Sequence, residues 1–412
     1  MDATSISTAS TVSSDRSGAR PHAIVIGANE NGLSVARSLA ELGVRTYSLG
    51  GVDWLARSRH VDVIEYQQPT NCTTDEQLQI WLDWLLGPEA EPFHGSVLIP
   101  CNDLSVEMIA VNREALARHF LLDESRDDIT LTLLDKIATY EMAGRIGVEA
   151  PRTWEIPDRR AFLDALPELR YPCAIKPRSS VAFWNRFKTK LIVANDAAEM
   201  REAHALVEES GLDVLITEVI PGADDQYFSY WTYVADDGEP QFHFTKRKYR
   251  QYPIHHGLGT LHRSYEDAEL RALGERFVRG SGLRGIAVVE FKRDARDGRL
   301  KLMECNVRFT KSNDVIVRSG IDMPKLFYGR ITGAPYPRVD DFEAGVGLWW
   351  PREDRWAFRQ YRAGGELTRR QWLASLRGRT YVPVFSLTDP GPSLSIFLER
   401  IASRLRLVRG RD

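Results

Sequence analysis

Residues 303–309 read Met-Glu-Cys-Asn-Val-Arg-Phe. Glu304, Asn306 and Arg308 hold alternate positions, so an extended chain puts all three on one face. Met303, Cys305, Val307 and Phe309 take the other face and are ordinary core material. A carboxylate, an amide and a guanidinium on one face cannot be buried without partners. An anionic ligand carrying a hard cation satisfies all three.

The preceding segment sharpens this. Residues 285–292, Gly-Ile-Ala-Val-Val-Glu-Phe-Lys, predict a strand, and Arg299–Met303 begin its return. Asp297-Gly298 suits a short hairpin loop with Gly298 left-handed. With a loop of Arg296–Gly298, Ala295 pairs with Arg299 and Glu290 falls opposite Glu304; a bulge would slip this register by one. Like charges opposed across a ladder destabilise it. A divalent cation between them reverses the sign, and Mg²⁺ favours one or two carboxylates with phosphate oxygens. A solvated outer face is the plainer alternative, but apolar runs flank the charges and favour a metal site.

Glu290 followed by Glu304-x-Asn306-x-Arg308 resembles the metal and phosphate end of the ATP-grasp superfamily. The resemblance implies that Glu290, Glu304 and Asn306 hold Mg²⁺, with Mn²⁺ as the alternative ion, on the phosphates of ATP. It gives Arg308 the acyl phosphate or the tetrahedral intermediate to stabilise. The implied fold is α/β and α+β, with a Rossmann-like N-terminal domain followed by a two-lobed ATP-grasp domain.

The 412 residues suggest two or three compact units, and 43% hydrophobic content suffices for a core. A net charge of −3 gives no reason to expect nucleic-acid binding. Cys72, Cys101, Cys173 and Cys305 are too scattered for a zinc site or a disulfide framework, and a reducing cytosol is the simplest compartment. Residues 1–20 are rich in Ser, Thr and Ala and predict a disordered leader. Residues 21–125 open as strand, turn, helix, strand: His22–Gly27, then Leu33–Leu42, then Val44–Leu49. The Gly27–Gly32 spacing departs from the dinucleotide fingerprint and no acidic residue closes the second strand, which argues against NAD. Asn102-Asp103 predicts the cap of a helix reaching about Arg118.

Residues 126–334 carry the remaining resemblance. Asp135-Lys136 opens a helix, and Lys176 ends the apolar strand Tyr171–Lys176. The family pattern gives Lys136 and Lys176 contacts to nucleotide phosphates; a surface lysine is the bland reading of Lys136. The loop after Lys176 runs from Arg178 to Lys190 without a glycine, unlike the glycine-rich lid of many members. Side chains must then replace backbone donors, with Ser179, Ser180 and Lys190 as candidates. That departure, with Trp184 and Lys190, resembles the carboxylate–amine ligases similar to D-aspartate ligase. The strand ending at Glu218-Val219-Ile220 resembles the adenine-binding hinge. Asp225 is the ribose candidate, with Asp224 and Gln226 as equal alternatives.

Residues 245–259 are basic and end in a flexible loop. Lys246, Lys248 and Arg250 share strand parity, which favours phosphate or substrate carboxylate over a solvated face. Lys248, Gln251, Pro253 and Gly257 match a K-x-x-Q-x-P-x-x-x-G pattern of the same subgroup, placing Lys248 beside Arg308 among the catalytic candidates. His255 and His256 read as loop residues. Residues 335–412 form a C-terminal extension of arginines and tryptophans. It ends in a helix whose Leu394, Phe397, Leu398, Ile401, Leu405 and Val408 share a face. That stripe predicts docking on the body, with contact to an anionic membrane surface as the alternative.

The implied activity joins a small-molecule carboxylate to an amine, an amino acid or a peptide, through an acyl phosphate with release of ADP. An ATP-grasp kinase, a carboxylating enzyme or a non-catalytic ATP sensor would use the same residues. Nothing in the sequence specifies an oligomeric state.

Overall fold

A computed structural model describes residues 20–67, 72–177, 183, 186–189, 191–336, 339 and 341–409, the last six as backbone. Its strands form three sheets. The first contains β1 (Ala23–Ala28), β2 (Thr46–Gly51), β3 (Val61–Val63) and β4 (Val97–Pro100), all parallel in the order β3-β2-β1-β4. β1 is continuously apolar because both of its faces are covered: Ala23 and Val25 enter one core, Ile24 and Ile26 another. Around it lie α1 (Glu30–Ala40), α2 (Thr74–Leu86), α3 (Asp103–Val111) and α4 (Arg113–Leu116). Asn102 caps α3 as predicted, but the helix breaks at Asn112 instead of running to Arg118.

Next come α5 (Asp127–Leu134) and α6 (Lys136–Ile146), the latter capped by Asp135 and ended by Gly147 at φ 77. The second sheet has the order β5-β8-β6-β7 and is antiparallel. Its strands are β5 (Thr153–Glu155), β6 (Cys173–Pro177), β7 (Ile192–Ala194) and β8 (Val214–Glu218). With α7 (Arg159–Ala165) and α8 (Ala197–Glu208) it encloses a core of its own.

The third sheet has seven strands in the order β13-β12-β9-β10-β11-β14-β15. They are β9 (Tyr227–Val234), β10 (Phe244–Tyr252), β11 (Leu258–Ser264), β12 (Gly285–Arg293), β13 (Leu300–Asn306), β14 (Gly347–Trp349) and β15 (Thr380–Tyr381). Helices α9 (Ala268–Ser281), α10 (Asn313–Arg318) and α11 (Met323–Thr332) accompany it. Alternation splits its strands cleanly. Phe228, Tyr230, Ala287, Val289 and Phe291 face back into a core shared with α6 and α9. Trp231, Tyr233, Phe244, Ile286 and Val288 face front and pack in one core with Val25 of the parallel sheet and Leu33 of α1. The N-terminal unit and the large sheet therefore share a core across the boundary expected near residue 125.

The boundary expected at residue 335 is also crossed. β14 pairs with β11, and β15 with β14, so the C-terminal residues extend the large sheet. Helix α12 (Pro351–Ala363) is locked to that sheet by Asp354, whose carboxylate accepts hydrogen bonds from Arg250 Nε (2.7 Å) and Nη2 (3.0 Å), Thr260 Oγ1, Trp349 Nε1 and Trp372 Nε1. Trp372 belongs to α13 (Arg369–Ser375). The final helix, α14 (Gly391–Arg409), departs from expectation. Its predicted docking stripe is exposed at Leu394, Phe397, Leu398 and Ile401. What holds it is its N-terminal approach: Asp389 accepts from Arg37, Ser58 and the Arg59 N–H. Leu405 and Val408 fall where side chains are not described. No helix of the described residues is long and apolar enough to cross a membrane.

The side chains of Arg250 and Asp354 are 5% and 0% exposed. Asp354→Ala would strand a buried guanidinium and should cost about 3–5 kcal/mol in urea unfolding. A loss below about 1 kcal/mol would mean that the C-terminal residues are not anchored here.

Candidate functional site

The hairpin of β12 and β13 places Glu290 directly opposite Glu304. It reaches that pairing by a different route from the one counted on the sequence. The loop is one residue longer, closed by Asp294 and Arg299, with Arg293 opposite Leu300. Asp294 N–H bonds the Arg299 carbonyl, Asp294 binds the Arg296 guanidinium, and Gly298 is left-handed at φ 72. A bulge between Glu290 and Phe291, opposite Met303, then restores the pair. Bulges of this kind recur beside functional sites because they re-aim one side chain without ending the ladder.

The registers of β13, β12, β9 and β10 line up two lateral rows on the front face. One runs Glu304, Glu290, Ser229, Lys246, and the next runs Lys292, Tyr227, Lys248. Charge thus follows directly on the apolar row Val288, Trp231, Phe244. Burial raises the Glu290 carboxyl above its ordinary pKa, and the Glu304 charge adds to the rise; Lys246, Lys248 and Arg308 oppose it. Asn306 Nδ2 donates to Glu304 Oε1 at 3.0 Å. Lys246 Nζ lies 3.2 Å from His262 Nδ1, and burial holds that imidazole well below its ordinary pKa. A neutral His262 accepts from the ammonium. Lys248 sits 3.6 Å over the Tyr227 ring and donates to Gln251 Oε1 at 2.7 Å. Burial pulls its pKa down to about 8.

The Lys248, Gln251, Pro253, Gly257 pattern is a set of mutual contacts. Gln251 Nε2 donates to Asp224 Oδ1 at 2.8 Å, and the His255 N–H donates to Asp224 Oδ2 at 2.7 Å. A Cβ on Gly257 would meet the Tyr252 carbonyl carbon at 2.1 Å, so the loop closes only on glycine. His255 is a loop residue at φ 70. One expectation is corrected. Register shifts on both sides of Arg250 take it off the face of Lys246 and Lys248 and into the buried pair with Asp354. Asp225 pairs with Arg247 at 2.7 Å, a residue of the opposite strand parity. Asp224, its sequence alternative, is the one near Lys248 and Lys292.

Lys176 and Lys136 come together. Burial, then the Lys136 charge, lowers the Lys176 pKa to about 8, while Glu304 acts the other way. Lys136, Pro177 and Leu215 line a cavity of about 260 Å³. Glu218 ends β8 but is engaged by Arg296 at 2.6 Å, which ties the small sheet to the hairpin loop. Val219 N–H bonds the Pro172 carbonyl, whereas Ile220 N–H has no partner among the described residues. Lys190, Ser179, Ser180 and Trp184 lie outside the described residues. Lys188 is exposed, with φ 54.

Three contributors were missed by sequence reasoning. Asn31 Nδ2 bonds the carbonyls of Cys101 (2.6 Å) and Phe309 (2.8 Å), fixing the chain beside Arg308. Asp103 holds Arg308 Nε at 2.6 Å. Tyr361 of α12 donates its hydroxyl to Asp224. Each acts from a distant part of the chain, so no local signal marks it.

No family model matches the chain. In sequence it is 20% identical over 318 residues to a D-aspartate ligase of Enterococcus faecium (strain Aus0004), spanning 74% of this chain and 75% of that protein. Among solved structures it is similar to N5-carboxyaminoimidazole synthetase from Staphylococcus aureus complexed with ADP, with TM-score 0.59, 14% identity and coverage of 79% and 80%. The L-amino acid ligase from Bacillus licheniformis gives TM-score 0.57, 16% identity and coverage of 76% and 74%. The chain has the ATP-grasp fold that the Glu290, Glu304, Asn306, Arg308 pattern resembles, and is similar to carboxylate–amine ligases of the D-aspartate ligase kind.

Proposed function

We propose that this protein is an ATP-dependent, ADP-forming ligase that joins a carboxylate to an amine. The observation that carries the proposal is the front face itself: Glu290 and Glu304 opposed, Asn306 beside them, and Lys246, Lys248, Lys176 and Arg308 around them. The similarity to D-aspartate ligase and to an L-amino acid ligase supports it. In this reading residues 21–125 are a Rossmann-like leading domain and residues 126–334 the ATP-grasp unit, with β14, β15 and α12 completing its large sheet.

Two carboxylates and an amide oxygen are hard donors and suit Mg²⁺. Glu290 and Glu304 face each other across the ladder, and opposed like charges are relieved by a divalent cation between them, which supports this reading. Glu290, Glu304 and Asn306 would hold it, and it would supply charge neutralisation for the phosphates. Lys136 and Lys176 bind the phosphate chain, with Lys190 in the lid as a further donor. The Ile220 N–H and the apolar edge at Val219 receive the adenine. Glu218, tied to Arg296, fixes that hinge, and Asp225, with Asp224 and Gln226 as alternatives, receives the ribose hydroxyls.

A carboxylate oxygen of the substrate attacks the γ-phosphorus; the bond to the β–γ bridging oxygen breaks and ADP leaves. The amine, its ammonium proton lost to solvent, attacks the acyl carbon through the nitrogen lone pair; the tetrahedral intermediate collapses, its N–H proton passes to solvent or the departing phosphate, and the amide is formed. Arg308, held by Asp103, faces the developing oxyanion. Lys248 binds the substrate carboxylate or the transferred phosphoryl oxygens. No nucleophilic side chain is needed. A screen of amino acids and short peptides for ADP release, with mass spectrometry of products, tests the proposal. The expected result is turnover that requires both a carboxylate and an amine; sustained release with one alone would overturn it.

Glu304→Gln should lower turnover by roughly 100-fold or more at saturating Mg²⁺. It should leave the apo protein as stable as before or more so, because it removes one of two opposed charges. Activity within a few-fold of the parent would remove Glu304 from the metal site.

The depressed lysines give a pH signature. Burial disfavours their ammonium forms, so the cost to stability is fully present below pH 8 and fades as the pH rises toward the ordinary lysine value. Polyphosphate favours the charged forms. ATP binding at pH 8 should therefore take up roughly half a proton per lysine. Calorimetry in buffers of different ionisation enthalpy reads this directly; identical heats would exclude Lys176 and Lys248 from the phosphate site.

A further inference from the structure

Helix α12 has a second face. Asp354, Ala357 and Tyr361 are buried against the sheet, whereas Arg352, Arg355 and Arg359 recur at helical spacing on another side. Those three arginines and Arg400 of α14 line a cavity of about 1050 Å³. None of the four forms an ion pair with a described residue, although arginines three and four residues apart on one helix repel. The walls between them are apolar: Trp54, Trp356, Phe397 and Ile401. Arg352 stacks on Trp356 at 4.3 Å. Glu399 also lines the cavity, so four cations face two carboxylates.

The other carboxylate is Glu30, the first residue of α1. It lies 3.4 Å from Lys311 through Oε1, while its buried Oε2 has no hydrogen-bond partner among the described residues. The next residue, Asn31, is bonded to the Phe309 carbonyl, so this end of the cavity abuts the segment that carries Arg308. The Glu30 carboxylate at one end, guanidiniums without ion pairs along the length and indole rings between them make a polarised site. The volume is at the upper end of small-molecule pockets, ~300–1,000 Å³.

We propose that this cleft holds the amine substrate and selects a short acidic peptide with a free amino terminus and an aromatic residue. The inference rests on the ligase reading and gives its second substrate a chemical class. The ammonium group pairs with Glu30, side-chain and terminal carboxylates pair with Arg355, Arg359 and Arg400, and the ring lies on Trp54 or Trp356. The amine is thereby turned toward the Arg308 end, where the activated acyl group is to be attacked.

The test is calorimetry on the full chain without nucleotide, using the peptides Phe-Glu-Glu, Phe-Lys-Lys and N-acetyl-Phe-Glu-Glu. Phe-Glu-Glu should bind at least about tenfold more tightly than either of the others. Glu30→Gln should erase the preference for the free amine while keeping the preference for acid. The double substitution Arg355→Ala with Arg359→Ala, on exposed positions, should weaken Phe-Glu-Glu about tenfold and leave Mg-ATP affinity within about twofold. Equal binding of the acidic and basic peptides would overturn the inference. So would binding to phosphatidylglycerol vesicles that the double substitution abolishes, with no peptide binding. Failure of the parent protein to bind Mg-ATP would instead overturn the ligase reading and the substrate role with it, while the peptide titrations still report the selectivity of the cleft.

Discussion

Two carboxylates held opposite one another across a β-ladder are a constraint that the surrounding structure must answer. Glu290 and Glu304 sit one residue from the hydrophobic part of the same sheet face, at Val288 and Trp231. Their charge is met laterally by Lys246 and Lys248 and from the chain beyond β13 by Arg308. Those cations are costly in turn. Burial depresses the lysines, and neutral His262, the Tyr227 ring and the Gln251 amide each take part in holding them. The result is a polar layer whose charges are only partly balanced within the protein, as expected where a cation and an anionic nucleotide complete the set.

The C-terminal residues belong to that arrangement. Asp354 collects Arg250, Thr260 and two indoles, while Tyr361 on the same helix bonds Asp224, which supports Gln251 and so Lys248. One helix thus anchors the sheet on one side, steadies a site lysine through two intermediaries, and presents arginines to a separate cleft. A basic, tryptophan-rich stretch that looks like an appendage in the sequence is part of the large sheet and of its packing.

The route to the Glu290–Glu304 pair shows how far pattern reasoning reaches. Counting from Gly298 arrives at the right partners through the wrong loop length, because the extra residue Met303 in the bulge compensates for a loop one residue longer. Alternation over residues 303–309 put Glu304 and Asn306 on one face and Cys305 in the core directly, since the period of two is set by the backbone itself. The same argument failed for Arg250, where irregular pairing reset the parity.

The sequence by itself determined the hairpin that opposes Glu290 and Glu304, the two lysines that end up together at 136 and 176, the capped helices, and the likeness to carboxylate–amine ligases. These are local: strand parity, capping chemistry and residue spacing act within a few residues. Only the tertiary structure decided that Asn31 fastens the chain beside Arg308, that Asp224 and Tyr361 stand behind Lys248, and that β14 and β15 extend the sheet. It alone assembled the arginine cleft from α1, α12 and α14. Those contacts join residues far apart in the chain, and their energies come from burial and pairing that exist only once the elements have packed.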